Sequence, residues 1–88
     1  MSKTEAFIDI GQGNYINAAR ILVGTGAESS PIKRMIIDAR DRGTLIDASG
    51  GKKTRSVLVF DSDHVVLSAL ESEAIVEAIR TAVNAEGA

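Results

Sequence analysis

The sequence predicts an α+β fold: a small antiparallel β-sheet domain with two helices. Three observations carry this. Short apolar, β-branched runs bounded by Gly, Asn, Asp and Ser read as strands. Ile32, Met35, Ile36 and Ala39 recur at i, i+3, i+4 and i+7, the stripe of an amphipathic helix. A second such stripe, Ile75, Ala78, Ile79, Ala82 and Val83, closes the chain.

Phe7 to Ile10 alternates weakly and reads as a strand. Gly11 to Asn14 is a turn, because Gly and Asn tolerate positive φ. Tyr15 to Val23 is read as one or two further strands, and Gly24 to Ser29 as a loop. Ser30 suits a helix N-cap and Pro31 the first helical position, where a missing N–H costs nothing. Gly43 ends that helix, with Arg40 and Arg42 favourably placed in its last turn. Ile37 falls off the apolar stripe, as an ordinary exposed residue or a subunit contact. Leu45 to Ala48 and Val57 to Phe60 are read as the two strands of a hairpin. Asp61 to Asp63 is a turn and His64 to Ser68 the next strand. Ser72 to Val83 is the second helix, and residues 84–88 are expected to fray.

The chain has 88 residues, and the whole, 1–88, is read as one domain with its core at about 6–83. A domain this small buries only about 60–65% of its unfolded surface. It has no Cys and one His, so disulfides and thiolate metal clusters are excluded as staples. Oligomerisation is the remaining common one. Val57-Leu58-Val59-Phe60 is apolar on both faces, and a partner subunit is the expected cover. No apolar run reaches the ~18 residues of a membrane span, and Met1 to Glu5 does not read as a signal peptide. A cytoplasmic protein is expected.

Net charge is −2, yet its distribution is uneven. From Arg20 to Arg55 eight basic residues face four acidic ones; the remainder holds two basic and eight acidic. One basic surface on an acidic body follows. Its centre is Gly50-Gly51-Lys52-Lys53-Thr54-Arg55: three cations in four residues, behind glycines that let a backbone approach a partner closely. Thr54 adds a hydroxyl suited to a phosphate oxygen. Phosphate contacts position a protein on nucleic acid without specifying sequence. A ring or filament would multiply the three contacts one chain offers. With Phe7, Tyr15 and Phe60 as the only aromatics, duplex DNA is favoured over a stacked single strand.

Other motifs weigh less. Gly51-Lys52-Lys53-Thr54 lacks the earlier glycine and the following helix of a phosphate-binding loop. Gly11 and Gly13 form an isolated pair. Val57 to Asp63, an apolar strand ending in Asp-Ser-Asp, resembles the nucleophile strand of haloacid-dehalogenase-type phosphatases. A Mg²⁺-dependent phosphatase using Asp61 and Asp63 is therefore one competing reading, although only 25 residues follow Asp63. Another is a structural or scaffolding oligomer whose basic loop binds acidic partners. His64 has no second His, Cys or nucleophile beside it in sequence.

Four segments together resemble the bacterial RemA family, regulators of extracellular biofilm matrix genes. They are Phe7-Ile8-Asp9-Ile10-Gly11 through Asn14, Ser29-Ser30-Pro31-Ile32-Lys33-Arg34-Met35-Ile36, Asp38 through Ala48, and Asp61-Ser62-Asp63-His64-Val65-Val66-Leu67-Ser68. The resemblance runs from about Phe7 to Ala78. It implies a DNA-binding transcriptional activator, similar to LytTR-type domains, that assembles into a homo-oligomeric ring and arrays basic loops for duplex DNA. It places Lys52 and Lys53 at the family's DNA-contacting arginines and Arg20 at a third. With Arg55 and Thr54 these are the expected DNA-binding residues. Pro31 matches a family Pro that sets helix-start geometry. The family loop reads Tyr-Gly-Arg-Arg-Thr-Arg. Lys for Arg keeps charge but loses bidentate recognition, so base readout should weaken. Gly50 in place of Tyr removes an anchor and is expected to loosen the loop. No catalytic residue, metal, cofactor or small-molecule substrate is expected; the partners are duplex DNA and further copies of the chain, at the nucleoid, without a membrane.

Overall fold

A computed structural model describes residues 6–87, with side chains as far as Ala82. The order is β1 (Phe7–Asp9), β2 (Tyr15–Asn17), a 3₁₀ turn (Ala18–Arg20), β3 (Ile21–Gly26), α1 (Ser30–Arg42), β4 (Leu45–Asp47), β5 (Ser56–Phe60), β6 (Val65–Ser68) and α2 (Ser72–Gly87). The α+β class and both helices stand. β1 and β2 form a two-stranded hairpin; the other strands form a sheet in the order β3-β5-β6-β4.

That order corrects two expectations. Leu45–Ala48 and Val57–Phe60 are not a hairpin, because β6 lies between β4 and β5. β4 pairs with β6 in parallel, so the sheet is mixed rather than purely antiparallel. Residues 48–55 form a connection that passes the end of β6, where Ala48 N–H donates to Leu67 O and Arg55 N–H to Ser68 O. Hairpin loops hold about 2–5 residues, and this longer one carries the chain over an intervening strand.

A third correction concerns β5. Its two apolar faces are both covered within one chain. Val57 packs with Ala39, Val65 and Leu67 beneath α1, flanked by Ile32, Met35 and Ile36. Leu58 packs with Val66, Ile75 and the hairpin residues Ile8, Ile10 and Ile16 on the other face. β5 is a central strand between two layers, so its apolar faces do not themselves require a partner subunit.

Helix α1 starts one residue earlier than expected. Ser29 is the N-cap, its Oγ accepting from Ile32 N–H at 3.4 Å, and Pro31 falls within the first turn. Gly43 takes the left-handed conformation at the end, φ 78°. Tyr15 to Val23 does hold two strands, but β3 continues through Gly24 to Gly26. β6 starts at Val65 rather than His64. On α2, Ile75 is buried and Ala78, Ile79 and Ala82 pack against the core. Val83, expected on that stripe, lies outside the described side chains. The α2 backbone stays helical to Gly87, beyond the expected end at Val83.

Candidate functional site

Strand pairing sorts the molecule into two poles. Gly26 sits opposite Ser56 and Ser56 opposite Ser68, while Asp47 pairs with Leu67. The 48–55 connection, the start of α1 and the start of α2 therefore share one end of the sheet. Each helix N-terminus carries roughly half a positive charge. Lys52, Lys53 and Arg55 are exposed at this same pole, with Thr54 half-buried among them.

The loop is anchored, contrary to the loosening expected from Gly50. Asp47 Oδ1 accepts from Ser49 N–H at 3.0 Å and from Ser49 Oγ–H at 2.6 Å. Those two bonds hold the Asp47 carboxyl below its ordinary value. Ala48 and Ser49 are buried, and Lys52 N–H donates to Ser49 O. Asn14 Nδ2 reaches Ala48 O at 3.3 Å from the β1–β2 turn. Gly50 and Gly51 take φ of +65° and +84°. At Gly50 a Cβ would lie 2.7 Å from Gln12 Cγ. The glycine lets the turn close on the loop, which supplies another anchor.

The far end of the loop is held equally well. Ser68 Oγ donates to Ile10 O and accepts from Leu70 N–H, and Ser56 Oγ donates to Leu70 O. The cationic side chains thus project from a fixed base.

Two acidic residues face them, and the linear sequence gave no sign of either contact. Glu71 lies 3.1 Å from Arg55, and Glu28 lies 4.0 Å from Lys53. Both pairs are exposed, so each contributes at most about 1 kcal/mol and yields readily to another anion. Lys52 makes no ion pair among the described residues.

Arg20 is elsewhere. It precedes β3, and its Nε donates to Asp61 Oδ2 at 2.6 Å. Arg20 and Asp61 lie at the opposite pole, about 20 Å from Arg55 along β5 at ~3.4 Å per residue. Within one chain the structure does not bring Arg20 to the basic loop. The hydrogen bond and charge of Asp61 raise the guanidinium's pKa further.

Asp61 and Asp63 form the β5–β6 turn. Asp63 N–H donates to Phe60 O, and Asp63 holds φ +70°. The Asp61 carboxylate, required free in a phosphatase nucleophile, is engaged by Arg20. His64 contacts Ser62 Oγ at 2.8 Å. Among the described residues no group of three or more His, Cys, Asp or Glu is gathered as a metal site. No described helix is long and apolar enough to cross a membrane.

The family model for extracellular matrix regulatory protein A-like proteins, RemA-like, matches residues 7–79. The chain belongs to the RemA-like family. It is 56% identical over 72 residues to extracellular matrix regulatory protein A of Bacillus subtilis, covering 82% of this chain and 81% of that protein. A proposed regulatory protein of Carboxydothermus hydrogenoformans is 50% identical over 80 residues, 91% of this chain and 92% of its own length. A proposed regulatory protein of Desulforudis audaxviator is 56% identical over 68 residues, 77% and 72%. This RemA-like chain is therefore a regulatory protein of that family, and its basic loop lies within the matched region.

Proposed function

We propose that this chain is a DNA-binding transcriptional regulator, a homo-oligomeric ring that grips duplex DNA through the 48–55 loop of each subunit. The observation that carries the reading is the loop pole. Lys52, Lys53 and Arg55 project there beside the N-termini of both helices. An extended polyanion is the partner that engages all of these at once. Thr54 adds a hydroxyl beside the cations. Control of matrix genes comes to this chain from the name of its Bacillus subtilis relative, and the DNA partner places it at the nucleoid in the cytoplasm. The reading uses no cofactor and no small-molecule substrate.

Sheet geometry supports the assembly. β3 and β4 are the two outer strands of the larger sheet, on opposite sides. Leu22 and Val23 on β3 are exposed, as is Ile46 on β4. Two different open edges suit a head-to-tail contact, which closes into a ring when the rotation permits. The edges lie to the sides while the basic loop lies at a strand end, so edge contacts leave every loop accessible. In such a ring, Arg20 reaches DNA only from a pole other than its own chain's loop.

The test is retention of duplex DNA at physiological salt by wild type and by Lys52→Ala/Lys53→Ala, each with its solution mass. The wild type should be oligomeric and retain duplex, and the variant should keep its mass and lose retention. An oligomer that retains no duplex would favour the scaffold reading, and a monomeric wild type would remove the ring.

A further inference from the structure

The β1–β2 turn carries two carboxamides with opposite fates. Asn14 is built into the fold: its Nδ2 lies within hydrogen-bond reach of Gly11 O, Gln12 O and Ala48 O. Gln12 is exposed, and its side-chain amide has no hydrogen-bond partner among the described residues. It also holds φ 58°, a conformation side chains other than Gly rarely take. Strained backbone of this kind persists where surrounding structure enforces it, often at functional positions.

The β1–β2 turn enforces it, closed by Ile10 N–H to Asn14 O and Asn14 N–H to Gly11 O, and it sets the side chain against the basic loop. The Gln12 side chain lies across Gly50, so close that a Cβ there would sit 2.7 Å from Gln12 Cγ and 2.8 Å from Oε1. A residue 38 positions away in sequence thereby sets its carboxamide against the loop that carries Lys52 and Lys53. The lysines are point charges: they hold phosphates but lack the planar fork that reads a base. A neutral carboxamide adds nothing to phosphate attraction. Its paired donor and acceptor match the N6 and N7 edge of adenine in the major groove. Packing against Gly50 restrains the side chain beforehand and reduces the ordering cost of binding.

We infer that Gln12 is a specificity-determining residue, reading an adenine in the major groove next to the phosphates gripped by Lys52 and Lys53. This rests on the DNA-binding reading above and supplies the base readout that the lysines lack.

The experiment is selection from a randomised duplex pool by the full chain, followed by binding of the enriched duplex and a scrambled one. Wild type should enrich a motif with a fixed A·T pair. Gln12→Ala should lose that preference, with discrimination falling about 5- to 150-fold, while scrambled-duplex affinity and its salt slope stay unchanged. Gln12→Glu, which only accepts, should shift the preferred base from A to C. Solution mass is matched for each variant, and Gln12→Gly, free of the φ restriction, replaces Gln12→Ala if the latter changes mass. A motif identical in wild type and variants overturns the inference, as does a wild type that binds duplex without enriching any motif. Both outcomes leave DNA binding intact. A wild type that retains no duplex at all removes the DNA-binding reading, and this inference with it.

Discussion

Ser68→Ala should be among the most damaging conservative changes in the molecule, because one hydroxyl joins both halves of the loop pole. Ser68 is fully buried, 0% exposed. Its Oγ donates at 2.9 Å to Ile10 O, on a residue equally buried, and accepts at 3.1 Å from Leu70 N–H. The substitution leaves almost no cavity, so its cost is the cost of stranded polar groups. An orphaned buried carbonyl at Ile10 costs about 1–3 kcal/mol, and the half-buried Leu70 N–H adds about 1 kcal/mol. The total is about 2–4 kcal/mol, which at ~6 °C per kcal/mol for a chain of this size lowers Tm by about 12–24 °C. The assay is thermal and urea unfolding at one fixed protein concentration, since assembly would couple stability to concentration. Ser62→Ala, on the β5–β6 turn, is the control: it removes only an exposed hydrogen bond to His64 and should change stability by less than about 1 kcal/mol. If Ser68→Ala unfolds within ~0.5 kcal/mol of wild type, the hydrogen-bonded support assigned to the loop is wrong.

Two further outcomes follow from the same base. Gly50→Ala puts a side chain on backbone at φ +65° and should cost about 1 kcal/mol in urea unfolding, the exposed Gln12 side chain swinging aside from the new Cβ; a neutral effect would contradict the left-handed turn assigned to the loop. Asp47 has its folded pKa below the ordinary 3.8 through the Ser49 bonds. A lowered carboxyl stabilises above its unfolded pKa, so that contribution is full at pH 6 and fades as pH falls below about 4 and through the folded value. Asp47→Asn should flatten the stability–pH profile in this acid range, and a profile unchanged by the substitution would contradict the Asp47–Ser49 hydrogen bonds.

Local features were legible in the sequence, and pairings across the chain were not. The α1 stripe, its first-turn Pro31 and the Gly43 stop depend on residues within a few positions, and the structure reproduces them with the N-cap moved to Ser29. The 45–60 hairpin fails because neighbouring strands in sequence usually pair, whereas here β6 inserts between them. The eight residues from Ala48 to Arg55 were the available clue. The apolar run at Val57 to Phe60 correctly signals a strand buried on both faces, but only the fold shows that α1 covers one face and α2 with the β1–β2 hairpin the other. Likewise, the basic loop was visible as composition. Its acidic neighbours Glu28 and Glu71, the Gln12 contact at Gly50 and the remoteness of Arg20 all depend on long-range placement.

The most direct test of the central claim is the salt dependence of duplex binding by the full chain. Three loop cations from a single subunit give a log K against log salt slope of about −2.7, at ~0.9 per phosphate. Several loops engaging one duplex should make the wild-type slope steeper than that, and Lys52→Ala/Lys53→Ala should flatten it by about 1.8 for each engaged loop. A slope that the double substitution leaves unchanged, in an oligomer of unaltered mass, would show that the 48–55 loop is not what holds DNA.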